Sequence, residues 1–189
     1  MPIFSFQKLN RIDPALAPEM KSTGEVLGVD TCFSKALLKA FIAGGYKFGA
    51  QKQRVLISLS DHYKNPALPI IQDIYKAGYL VMATHGTHKF LEKNGVPSKM
   101  IEKFMMDKLQ KRMKEGRLSF VLNTPKTGGD SQKSGFHIRT IAEMYSVPCF
   151  TSIDTMRAYL KALKTYEEKT ILLPDTISNY RKRKFFGIF

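Results

Sequence analysis

The sequence predicts an α/β domain, a twisted parallel sheet with helices on both faces (a Rossmann-type arrangement), preceded by a shorter piece that cannot form a core of its own. Two observations carry this. Short, near-continuous apolar runs such as Val55-Leu56-Ile57 and Leu118-Ser119-Phe120-Val121-Leu122 have the pattern of strands buried on both faces. Segments with apolar residues at helical spacing lie between them, so strands and helices alternate. A chain of 189 residues with 43% hydrophobic residues has room for one full domain and a partial one.

The elements follow in order. Residues 1 to about 30 hold Pro2, Pro14 and Pro18, and Ile3, Phe4, Phe6 and Leu9 suggest a strand and loop belonging to a larger sheet. From Thr31 to Phe48 the spacing of Phe33, Leu37, Leu38, Phe41 and Ile42 predicts a helix that ends or frays at Gly44-Gly45. After a polar linker, Val55–Leu59 predicts the first strand and Ala67–Lys76 a helix stopped by Gly78. Tyr79–Ala83 predicts a second strand, His88–Lys93 a short helix, and Met105–Lys114 a basic amphipathic helix. Leu118–Leu122 predicts a strand running into Asn123, Ser134–Tyr145 a helix, Val147–Thr151 a strand and Asp154–Leu163 a helix. Residues 165–189 turn charged and then basic–aromatic, which reads as a loosely docked extension.

The formal net charge is +14, but the lysines and arginines are scattered, with no RNA-binding aromatic–basic motif and no zinc knuckle. A solvated basic surface with a local anion site fits better than a nucleic-acid-binding module. Cys32 and Cys149 are far apart and lack metal-ligand spacing, so neither a disulfide framework nor a metal site is expected, and a reducing cytoplasm is. No apolar run reaches the roughly 18 residues of a membrane span, and the first residues lack a signal-peptide pattern.

In an open α/β sheet, ligands bind beyond the C-terminal ends of the strands. Lys64 follows the first strand, Thr84 and Thr87 flank Gly86 after the second, and Asn123 and Thr124 follow the Leu118 strand. Lys103 lies downstream of the short helix. Hydroxyl and amide donors, a glycine that lets backbone approach, a helix N-terminus and two lysines are what a phosphate needs. Blander roles stand beside this: Thr84 and Thr87 as helix caps, Asn123 as a turn residue, the lysines as ordinary surface charge.

The run Pro18-Glu19-Met20-Lys21-Ser22-Thr23-Gly24-Glu25-Val26, followed by Lys64, Ala83-Thr84-His85-Gly86-Thr87 and Asn123-Thr124, resembles the carbamoyl-phosphate synthetase large-subunit family. The first run resembles the end of its second ATP-grasp half, and the later residues its methylglyoxal-synthase-like regulatory domain. The resemblance implies three parts: residues 1–48 as the end of the ATP-grasp domain with a connecting helix, 49–165 as the allosteric domain, and 166–189 as a basic extension. It implies an effector site of Lys64, Thr84, Thr87, Lys103, Asn123 and Thr124, and a nucleotide or phosphate effector such as UMP, IMP or phosphoribosyl pyrophosphate. Pro125 departs from the family pattern by removing a hydroxyl, which Lys126 or Thr127 could replace. Arg139 matches an Ile-Arg pair in the family and either reaches an anion or pairs with an acid. No catalytic residue and no cofactor are implied for this chain, whereas the parent enzyme would use ATP and Mg. The implied partners are the rest of the large subunit and its glutaminase small subunit.

The rival from the same fold is a methylglyoxal-synthase-type lyase. Its members place an aspartate at the position of Asn123 and another in a Gly-Gly-Asp loop near position 105. Here those places read Leu122-Asn123 and Phe104-Met105-Met106, and an amide cannot serve as the carboxylate base that removes the proton.

Overall fold

The computed structural model describes residues 2–3, 24–46, 48, 54–101, 106–125, 131–168 and 179. The chain divides into two compact units, the smaller drawing on segments near both ends of the sequence and the larger including residues 54–156.

The larger unit is built on a five-stranded parallel sheet. Its strands are β3 (Arg54–Ser58), β4 (Leu80–Thr84), β5 (Lys99–Ile101), β6 (Leu118–Asn123) and β7 (Cys149–Phe150), ordered β5-β4-β3-β6-β7. Val55, Leu56 and Ile57 are fully buried in the central strand, and so are Phe120, Val121 and Leu122 in its neighbour, as expected of strands covered on both faces.

Helices α2 (Asp61–Lys76) and α3 (His85–Lys93) cross from β3 to β4 and from β4 to β5. Helices α4 (Met106–Lys114) and α5 (Ser131–Met144) run the other way, from β5 to β6 and from β6 to β7. Right-handed crossovers put these two pairs on opposite faces. The packing agrees for α4 and α5: Leu109, Met113, Ile138 and Ala142 cluster with Leu56, Met82 and Val121. The alternate residues Val55, Ile57, Phe120 and Leu122 turn to the other face, and α2 supplies buried Ala67, Ile70, Ile71 and Ile74.

Several elements differ from the sequence reading. Helix α2 starts at Asp61, not Ala67, and runs through Pro66 and Pro69. Each proline forfeits one backbone hydrogen bond, but the apolar stripe from Ala67 to Ile74 holds the helix to the sheet. Helix α3 starts at His85, not His88, so Gly86 and Thr87 lie in its first turn. Strand β5 was not anticipated, because three residues are too few to show a period.

The smaller unit pairs β1 (Pro2–Ile3) antiparallel with β2 (Gly24–Glu25). Its helix α1 (Phe33–Ala43) lies inside the expected Thr31–Phe48 span and stops at Gly44-Gly45, with Gly45 at φ +87°. Leu38, Ala40 and Phe41 are buried, but Phe33 is 70% exposed and Ile42 half-exposed, against their place in the apolar pattern. Helix α6 (Ile153–Glu167) runs beyond the expected Leu163. Its Tyr159 packs edge-on to Phe41, with centroids 5.4 Å apart, and stacks with Phe48 at 5.5 Å. The Pro18–Val26 run falls on described residues only at Gly24–Val26, and the extension at 166–189 only at 166–168 and 179.

Candidate functional site

The chain leaves β3 toward β4 but leaves β6 toward β7, in opposite directions across the sheet. Beyond the C-terminal ends of β3 and β6 lies the switch-point crevice of an open α/β sheet. Ser58, Thr84 and Asn123 end three adjacent strands there, with Ser58 and Asn123 in register.

A chain of hydroxyls ties this rim together. Thr84 Oγ1 donates to Ser58 Oγ at 3.2 Å and lies 3.4 Å from Thr87 Oγ1. Thr87, 1% exposed, accepts the Leu59 backbone N–H at 2.9 Å. Thr124, 5% exposed, accepts the Ser60 N–H at 2.9 Å, and its own N–H donates to the Ser58 carbonyl at 3.1 Å. Thr87 and Thr124 are therefore buried posts that set the course of residues 58–60. Thr84 stands at the N-cap of α3, yet its hydroxyl makes no cap bond.

The first turn of α3 leaves backbone N–H groups directed at the rim, with the positive end of the helix dipole behind them. Gly86 adds no side chain there, and a Cβ built on it would meet one group within 4 Å, the Lys64 ammonium at 3.7 Å. Lys64 lies in the first turns of α2, not in a loop. It is largely buried and paired with the exposed carboxylate of Asp61 at 2.6 Å. A helix N-terminus and a lysine thus flank the same space beside Gly86.

On the β6 side, Asn123 is 1% exposed and Arg139, on α5, is 2% exposed. Arg139 Nη1 donates to Asn123 Oδ1 at 2.8 Å. Asn123 Nδ2 has no acceptor among the described residues. A buried donor of this kind ordinarily has a partner, and an anion oxygen would supply one. Asn123 belongs to this pair; it is not a turn residue.

Thr84, Thr87, Asn123 and Thr124 therefore share one rim, with Lys64 over it and Arg139 behind Asn123. Lys103 and Lys126 lie outside the described residues. Ser58 and Ser60 join the same hydroxyl network and were missed, because a serine closing a strand carries no pattern that separates it from any other. Among the described residues no cluster of His, Cys, Asp or Glu could hold a metal, and neither Cys32 nor Cys149 is in a disulfide. No helix among them is long and apolar enough to cross a membrane.

Residues 66–151 match the family model described as the MGS-like domain. The chain belongs among the proteins that carry this domain. Over most of its length it is also similar to carbamoyl phosphate synthase large chains. It is 37% identical to that of Clostridium acetobutylicum over 182 residues, covering 96% of this chain and 17% of the relative. It is 36% identical to that of Clostridium botulinum strain Langeland over 178 residues, covering 93% and 17%. The chain thus spans about a sixth of the length of the curated relatives it matches. A crystal structure of methylglyoxal synthase from Elizabethkingia anophelis matches 66% of this chain and 95% of its own, at 10% identity and a TM-score of 0.45.

Proposed function

We propose that the chain is the regulatory portion of a glutamine-hydrolysing carbamoyl-phosphate synthase large chain, and that it binds a phosphate-bearing effector such as UMP, IMP or phosphoribosyl pyrophosphate at the β3–β4–β6 rim. The similarity to large chains over more than nine-tenths of the sequence supports the first part. One observation carries the second: the Lys64 ammonium stands 3.7 Å from where a Cβ on Gly86 would sit, at the N-terminus of α3. A phosphate seated there receives backbone N–H donors, the helix dipole and a lysine at once. Binding requires Lys64 to exchange Asp61 for the ligand.

In this reading the remainder of the large chain and a glutaminase small subunit are the partners, in the cytoplasm. ATP and Mg belong to the parent enzyme, and residues 1–48 are the end of its ATP-grasp domain. Carbamoyl phosphate made by that enzyme would feed pyrimidine and arginine synthesis. The effector acts by binding one state of the synthetase more tightly than another.

Isothermal titration of the full chain with UMP, IMP and phosphoribosyl pyrophosphate tests the site. Lys64→Ala should weaken the ligand that binds by roughly 1.5–3 kcal/mol, the range for a charge-assisted hydrogen bond. Equal affinity in parent and variant would remove the reading.

A further inference from the structure

We propose that Arg139 is a positioning residue that locks the Asn123 side chain with its amino group presented to the effector, so that the site selects ligands offering a hydrogen-bond acceptor at that point. The inference rests on the effector-site reading above and deepens it.

The orientation follows from chemistry. A guanidinium carries only donors, so the amide atom 2.8 Å from Arg139 Nη1 must be the carbonyl oxygen. Flipping the amide would set donor against donor in a buried place. Nδ2 is therefore held on the side away from Arg139, where no acceptor meets it among the described residues. Leaving such a donor unpaired is unfavourable in a buried place, and a ligand oxygen removes that cost.

Gly135, one turn before Arg139 on α5, completes the lock. A Cβ there would lie 3.2 Å from Arg139 Nη1, 3.4 Å from Asn123 Oδ1 and 3.6 Å from Nδ2. A side chain there would press on the guanidinium and touch both amide atoms, so its absence leaves the pair room. The arrangement suits phosphate, carboxylate or carbonyl oxygens and disfavours groups that can only donate. A carboxylate at position 123 would keep the Arg139 bond but turn an anionic oxygen to the ligand.

The test is a titration of the isotopically labelled full chain with UMP, followed by NMR. It reads the Asn123 side-chain amino resonance and the Gly86 and Thr87 backbone amides. In the parent, all three should shift. In Arg139→Met, the Gly86 and Thr87 amides should still shift, the Asn123 response should be lost, and affinity should fall roughly tenfold. Arg139→Lys, which keeps a donor, should recover part of both. A purely structural arginine would instead disturb all three signals together. An Asn123 response in Arg139→Met equal to the parent's, with affinity within twofold, overturns the proposal. Should Arg139→Met lose its fold, Asn123→Asp decides, because it keeps the Arg139 partner: binding at least tenfold weaker supports the proposal, and parental affinity overturns it. Gly86 and Thr87 shifting in the parent while Asn123 does not overturns this inference alone. No shift at any of the three overturns the effector site and the inference with it.

Discussion

Single residues at the rim separate binding from stability. Gly86 lies in the first turn of α3, and a Cβ there meets only the end of a flexible lysine at 3.7 Å. Alanine is the better helix former by about 0.5–1 kcal/mol. Gly86→Ala should therefore leave the melting temperature unchanged or slightly raised, yet weaken UMP binding at least tenfold by filling the space beside the phosphate. A variant that melts lower than the parent, or binds as well, would show that Gly86 serves packing alone. Glu143 on α5 behaves differently. Burial pushes its carboxyl from about 4.5 up to about 7. The folded chain then holds this proton more tightly than the unfolded chain. The contribution is fully present below pH 4.5 and is lost as pH rises to about 7. Glu143→Gln should flatten that decline, so that its melting temperature exceeds the parent's at pH 8, with little difference at pH 4.5. Thermal melts at the two pH values check this.

At the scale of elements, the segment before α1 is set by one close approach. Lys39 pairs with Asp30 at 2.7 Å and donates to the Val29 carbonyl at 3.2 Å, which binds this segment to the helix. Just before them the backbone lies against α1 at Gly28, where a Cβ would fall on the Ala36 carbonyl oxygen and come within 2.8 Å of Ala40 N. Neither neighbour is a movable side-chain end. Gly28→Ala should cost about 3 kcal/mol or more, the upper range for overpacking, and a denaturant titration measures it. The elements also show which parts of the molecule were legible beforehand. The strand interiors were, because Val55–Ile57 and Phe120–Leu122 are apolar at consecutive positions in short runs, the pattern of a doubly covered strand. Helix starts were not. Pro66 and Pro69 read as punctuation, and Thr-His-Gly-Thr reads as a loop until the strand before it is known to end at Thr84. This error reaches the site: Lys64 and Gly86 were placed in loops, whereas both are helical, which is why the first turns of α2 and α3 form one wall. Thr84, Thr87, Asn123 and Thr124 could be placed on a common rim from strand order alone. The bond from Arg139 to the Asn123 amide could not, because it depends on which face of α5 meets β6.

For the whole molecule the question is whether anion binding belongs to a built site or to a net charge of +14. Lys108, Lys111, Arg112 and Arg117 surround a shallow cleft with one acid, Glu115, and such a surface attracts any polyanion. The two kinds of binding respond differently to salt. Contacts between exposed charges fade as the screening length falls below its physiological value of about 8 Å, whereas partly buried contacts persist. Lys64 is largely buried and the Asn123 donor wholly so. UMP at a hundred times its dissociation constant should stabilise the fold by about 2.7 kcal/mol. For a chain of this length that raises the melting temperature by roughly 5–10 °C, and most of the shift should survive 0.5 M NaCl (a condition roughly three times physiological ionic strength). Uridine, which lacks the phosphate, should give little, and Lys64→Ala should lose most of the UMP effect at the same concentration. A random DNA duplex should stabilise the chain only at low salt, because its binding rests on counterion release. If the UMP shift disappeared with salt in step with the DNA shift, the charge alone would account for anion binding, and the rim would be a hydroxyl-laced strand terminus with no ligand of its own.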